Sequence, residues 1–291
     1  MTRQGKSARS TRPGFAVQYN VRILLLSAVL ASGAWTRPAI AQPRPQIGNG
    51  TKHASATITA ISAKGSQAQL LVTLSVDPGW HVSWRNPGET GLPTRLSWSL
   101  PAGVRAIGET WPVPLISHTT VGDTHTLEGD VPWLVDFRSD SASSTDRLVT
   151  LTMRYGICRD VCIPEQITVQ GVLPGRSSAR RAPIPAALQS RLATTAGVIA
   201  ARRLSPTELC LERVPMWSPG VVPEVIADSG TGADATLRLR EGVGARRGSA
   251  RMAIPAATTL RDGASVLFVR GLSGVTARLS FRAPVRHCRL P

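Results

Sequence analysis

Apolar and polar positions alternate in short bursts along the chain between residues 48 and 175. ATITAISA, QAQLLVTLSV, TRLSWSL, VPWLVDF, RLVTLTMRYG and QITVQGVL show a period of two or a run of β-branched side chains. That is the mark of strands resting one face on a core. DPGW, RNPGETGLP and LPAG separate them, and their Pro, Gly, Asp and Asn suit turns. No long stretch shows the three-to-four spacing of an amphipathic helix. The pattern predicts an antiparallel β-sandwich.

The same pattern resumes after a break. LPGRSSARRAPIPAALQSRL interrupts the alternation with Pro, Ser and Arg, and ATLRLREG, ARMAIPA, ASVLFVRG and VTARLSFRAP then read as strands again. One short helix is expected around PAALQSRLATTAG. The predicted organisation is a β-sandwich domain over 42–176, a linker with a short helix over 177–198, and a second, smaller β-rich domain over 199–291. The fold class is all-β throughout.

Residues 1–41 follow a different logic. Arg3, Lys6, Arg9, Arg12 and Arg22 precede or open the apolar run ILLLSAVLASGAW, and PAIAQ follows. A basic start, a short apolar stretch and an Ala-x-Ala site at Ala39 and Ala41 describe an export signal cleaved after Ala41. The expected compartment is the periplasm, where disulfides persist.

Charge is uneven. Of the formal net charge of +16, residues 42–176 contribute none, with eleven Lys or Arg against eleven Asp or Glu. Residues 177–291 hold seventeen Arg against seven acids. A basic second domain can meet acidic partners or anionic headgroups. The basic residues are scattered without aromatic interleaving, so no nucleic-acid partner is expected. A serine-hydrolase elbow, a zinc-protease helix motif, a phosphate loop and a dinucleotide fingerprint are all absent from the sequence.

Four cysteines carry the remaining chemistry: Cys158, Cys162, Cys210 and Cys288. Four allow three pairings. Taking the near pair and the far pair, chain entropy separates their uses. The long loop closed by Cys210 and Cys288 would stabilise by about 4.5 kcal/mol, the short one by about 2 kcal/mol. The far pair suits a structural staple. The near pair, in RYGICRDVCIPEQ, is a weak staple and more easily reduced. Pro164 and the strand-like run before it favour a hairpin over a helix, and Gly156 offers backbone freedom just ahead.

Three uses of this pair stay open on the residues alone. One is a small structural disulfide in a binding or scaffold module. Another is a metal clip, for which His118, His125 and Met153 are candidates by type alone, because nothing in the spacing recruits them; no metal site and no cofactor is assigned. The third is thiol–disulfide exchange, where Arg154 and Arg159 would lower a thiol pKa and Asp160 would oppose them.

GWHVSWRNPGETGLPTRLSWSLP, then WPVP, then MRYGICRDVCIPEQ resembles the N-terminal periplasmic domain of the thiol:disulfide interchange protein DsbD and its ScsB-like relatives, over about residues 50–175. The resemblance implies an immunoglobulin-like fold and a protein-disulfide reductase activity in which Cys158 and Cys162 relay reducing equivalents. A membrane thiol–disulfide reductant of the DsbD or CcdA kind would donate, and periplasmic proteins bearing disulfides would receive. It implies Cys162 as the attacking sulfur and Cys158 as the resolving one. Trp80, His81, Trp84 and Tyr155 fall where the family places aromatic residues near the cysteines. Residues 115–122 correspond to a covering loop, with Leu115 or His118 in place of the aromatic cap. Cytochrome c biogenesis and copper tolerance are the family's associations, and copper handling is a further reading. No CxxC and no further apolar span follows in this sequence, so the reductant is expected to be a separate polypeptide.

Overall fold

The computed structural model describes residues 46–47, 52–120, 122–177, 182–212, 214, 224–228, 236–240, 249–254, 260–262, 264–270 and 273–282. The export signal, its cleavage site and Cys288 lie outside the described residues. No helix among the described residues is long and apolar enough to cross a membrane.

The first half is a sandwich of two sheets. In chain order its strands are β1 Gln46–Ile47, β2 Ala54–Lys64, β3 Gln67–Val76, β4 His81–Gly88, β5 Arg95–Ser99, β6 Val104–Thr110, β7 Leu115–Thr119, β8 Gly122–Glu128, β9 Asp130–Ser139, β10 Arg147–Cys158 and β11 Cys162–Leu173. One sheet runs β2-β3-β9-β6. The other runs β1-β11-β10-β4-β8-β7, with β5 also on β10. All pairings are antiparallel except β1 on β11. Gly65, in the left-handed region at φ 62°, closes the β2–β3 hairpin, a turn that side chains with a Cβ resist. The fold is the immunoglobulin-like sandwich expected of the sequence.

Alternation fixes what the sheets bury. Leu70, Val72, Leu74, Val131, Trp133, Val135 and Phe137 come from one sheet, and Val82, Trp84, Leu151, Met153, Tyr155, Ile157, Ile167 and Val169 from the other. Trp84, Trp111 and Trp133 meet edge to face in succession, at 6.2 and 5.8 Å between centroids. Such contacts add about 0.5–1.5 kcal/mol each beyond burial.

The segment after β11 holds one helical turn, α1 Ala186–Gln189, with no buried residue. The expected helix is therefore shorter than its sequence window, because TTAG already belongs to a strand. The second half is a closed barrel of β12 Thr194–Ser205, β13 Glu208–Glu212, β14 Glu224–Asp228, β15 Thr236–Arg240, β16 Ser249–Ala253, β17 Ser265–Arg270 and β18 Ser273–Ser280. β12 and β18 close it in parallel. Its interior is filled by Ile199, Leu209, Leu211, Val225, Met252, Val266, Phe268 and Leu279, among others.

The barrel's opposite face does not all meet water. Ile226, Leu267 and Val269 alternate with interior residues of β14 and β17, and they pack into the sandwich's core. Strands buried on both faces read as unbroken apolar runs, as VLFV does. Asn86 Nδ2 donates to the Ala227 carbonyl at 2.9 Å in buried surroundings, and Ala193 N donates to the Trp111 carbonyl at 3.1 Å. Sandwich and barrel share hydrophobic contacts and hydrogen bonds.

Candidate functional site

β10 and β11 form a long hairpin, paired residue for residue from Arg147↔Leu173 to Cys158↔Cys162. Alternation over 149–157 on one side and 167–173 on the other sets that register. Arg159, Asp160 and Val161 make the tip. Cys158 and Cys162 face each other across the last pair and are joined as a disulfide, with Cα atoms 4.1 Å apart. A hairpin, not a helix, brings the sulfurs together.

The two sulfurs differ in access. Cys158 is 2 % exposed, while Cys162 is exposed on the outer strand. Alternation puts Tyr155 and Ile157 on the core face and Cys158 on the outer face. A buried residue on an outer face needs a cover. His81 supplies one side, since β4 pairs with β10 at Cys158↔His81. The expected covering loop does not supply the other. β7, which carries Leu115 and His118, is the far edge of the sheet, with β8 and β4 between it and β10. Three strand spacings amount to about 14 Å. His118 is instead bonded through Nδ1 to Asp123 and through Nε2 to Glu224 of the barrel, both at 2.6 Å.

The loop between β4 and β5 lies close to the cysteine end. Pro93 bridges to Ser83, Thr94 Oγ1 donates to the Ser83 carbonyl at 2.5 Å, and Gly156 N donates to the Leu92 carbonyl at 3.4 Å. Leu92 packs over Gly156, where a Cβ would come within 2.7 Å of the leucine's own. Gly156 thus serves close approach rather than the backbone freedom expected of it. Leu92 was not legible as a site residue: GETGLPT signals a turn, but not where the turn lands.

The remaining candidates separate into neighbours and core. Trp80 stacks on His53 at 3.9 Å between ring centroids, and the Arg159 guanidinium stands 5.0 Å over the Trp80 ring. This holds a positive charge beside Cys158, though Arg159 Nε also pairs with Asp160 at 3.1 Å. Burial lowers the His81 pKa, with Glu128 opposing, which favours a neutral imidazole next to the disulfide. Arg154 is four residues down the strand, about 14 Å from the sulfurs, and its Nε bonds Gln166. Trp84 and Tyr155 are core residues. Trp84 is fully buried and donates through Nε1 to the Pro112 carbonyl at 2.9 Å; Tyr155 is 3 % exposed. His125 and Met153 are also buried in the sandwich, away from the cysteines. Among the described residues no three His, Cys, Asp or Glu side chains are gathered to hold a metal. Cys210 is fully buried in the barrel and disulfide-bonded.

Among the described residues, exposed large hydrophobics are few, and half of them lie at this end of the sheet. Leu92 and Ile163 are 40 % exposed and Val161 is 69 % exposed. One accessible sulfur beside exposed apolar residues defines a class of domain: a β-sandwich presenting a disulfide at a hairpin tip.

Residues 52–174 match the family model described as thiol:disulfide interchange protein DsbD, N-terminal. Among solved structures, the N-terminal periplasmic domain of ScsB from Proteus mirabilis is similar at 17 % identity and a TM-score of 0.51. The match covers 78 % of this chain and 93 % of that one. It therefore extends beyond the family segment, and the likeness of fold includes part of the second half. The GAE domain of GGA2p from Saccharomyces cerevisiae (7 % identity, TM-score 0.29, covering 45 % of this chain and 97 % of that one) is a more distant likeness. No curated protein matches the chain.

Proposed function

We propose that this protein is a periplasmic thiol–disulfide exchange protein, relaying reducing equivalents from a separate membrane reductant to disulfide-bearing clients through Cys158 and Cys162. The single observation that carries this is the asymmetry of the disulfide: one sulfur is exposed at a hairpin tip and the other buried behind it. In exchange, a thiolate attacks one disulfide sulfur and the other leaves. An exposed Cys162 takes the attack and later attacks the client. A covered Cys158 leaves as thiolate, with the Arg159 charge nearby, and later resolves the mixed disulfide. Cys210 and Cys288 make the structural pair in this account.

The test is the reduction potential of the Cys158–Cys162 pair, by equilibration against a thiol buffer in a Cys210→Ser/Cys288→Ser background. A working relay is expected between about −120 and −270 mV. A value below about −300 mV would mark a structural disulfide and overturn the proposal.

A further inference from the structure

The hairpin also fixes where an incoming sulfur has to stand. Displacement at Cys162 Sγ breaks its bond to Cys158 Sγ, and the attacking sulfur approaches opposite that bond. The bond crosses from β10 to β11. Its extension past Cys162 leaves the sheet over the outer edge of β11, where one more strand would lie. Among the described residues, β1 alone pairs on that side of β11, at Ile167 and Thr168. The edge beside Cys162, Ile163, Pro164 and Glu165 has no strand on it among those residues.

The main chain at this edge is turned outward at the cysteine. Antiparallel pairs alternate between a wide hydrogen-bonded kind, about 5.5 Å between Cα atoms, and a narrow non-bonded kind, about 4.5 Å. At 4.1 Å, Cys158↔Cys162 is of the narrow kind, whose N–H and C=O groups point away from each other. Two residues along, Gly156 is of the same kind, and its N–H does point away from β11, to Leu92. Cys162 therefore directs its N–H and C=O off the edge, while Ile163 spends its own on Ile157. Pro164, with no N–H, is at home on an edge, where it also discourages promiscuous pairing.

We infer that the redox partner engages by adding an extended, cysteine-bearing segment to the β11 edge at Cys162, so that main-chain pairing places its sulfur in line with the Cys162–Cys158 bond. This rests on the exchange reading above. A residue directly opposite Cys162 shares its face of the sheet, with Cβ atoms about 4.5–5.5 Å apart, within reach of two sulfurs. Val161 and Ile163, both exposed, then meet the partner's flanking side chains. The partner thiolate bonds to Cys162 Sγ, and Cys158 leaves as thiolate. The partner's second thiolate then attacks its own bridged sulfur and releases Cys162. The partner dithiol ends as a disulfide and the pair as two thiols, after taking two protons from water. Donation to a client runs the same path in reverse.

The experiment uses the full chain carrying Cys158→Ser. A short Thr/Val-rich peptide bearing one central cysteine, as its thionitrobenzoate mixed disulfide, is trapped on Cys162. Two twins carry N-methyl groups on alternate residues, one set or the other, so that a single twin loses the donors facing the edge. One twin is expected to react more slowly by about tenfold, as for the loss of one or two net main-chain hydrogen bonds, while all three react alike with glutathione. Hydrogen exchange at the Cys162 amide should slow in the trapped complex, with Ile163 unchanged. Equal rates for all three peptides and no new protection overturn the strand-addition proposal and leave the exchange reading standing. So does a Cys162 amide already protected before the peptide arrives, since the edge would then be occupied by this chain. Failure of Cys162 to trap any peptide overturns both.

Discussion

At the scale of single residues, what matters near the disulfide is the absence of a side chain. Gly156 lies in a regular strand two residues before Cys158, and the space over it belongs to Leu92. Overpacking of this kind costs about 1–3 kcal/mol. Gly156→Val is therefore expected to lose that much stability in denaturant titrations. It should also lift the β4–β5 loop, so that Cys158 in the reduced protein alkylates faster than in the parent; Gly156→Ala should show a smaller effect of the same sign. Unchanged stability and unchanged alkylation would mean that the loop moves freely. The resemblance placed Trp80, His81, Trp84 and Tyr155 near the cysteines, and of these Trp84 and Tyr155 belong to the core. It missed Leu92, and it placed the cover on Leu115 and His118. Sequence spacing identifies a turn, but which strand the turn crosses is a property of sheet order.

At the scale of elements, β7 and β14 are linked by one imidazole. Two carboxylates 2.6 Å from the two ring nitrogens of His118 each need an N–H, so the ring is cationic when both bonds are made. The hydrogen bond it donates to Asp123 is the main cause of a raised pKa, Glu224 adds to it, and desolvation opposes. Because the folded pKa lies above the unfolded value of 6.5, the stabilisation is full below that value and is lost as pH rises through the folded pKa. The ring is more than half exposed, so the effect is modest. His118→Ala is expected to cost at most about 1 kcal/mol in acidic buffer and close to nothing well above the raised pKa. A loss that grows with pH would contradict the arrangement. The polar strands here also escaped the pattern: GDTHTLE buries His125 and Thr126, and His125 Nδ1 bonds the Asn86 carbonyl. A strand that buries hydrogen-bonded polar groups carries no apolar period to find.

At the scale of the whole molecule, sandwich and barrel are held by a core that crosses between them. Leu267 of β17 is fully buried, yet it belongs to the sandwich's cluster and not the barrel's. Leu267→Ala should cost about 2–5 kcal/mol. It should also lower the thermal midpoint seen by tryptophan fluorescence of the sandwich, where Trp84, Trp111 and Trp133 lie. A sandwich midpoint that stays put while the barrel melts earlier would show that the two unfold independently.

The sequence by itself determined the all-β class, through its period of two and its turn residues, and it set two cysteines four apart in a strand–turn–strand context. Those are local properties, set by a few neighbouring residues and their backbone preferences. Only the tertiary structure decided which sulfur is covered and by what, that His118 serves the junction rather than the disulfide, and that the apolar run of β17 is buried on both sides. Each of these depends on which strands lie side by side and which sheets stack. That outcome is settled by the packing of residues distant in sequence, and no local pattern encodes it.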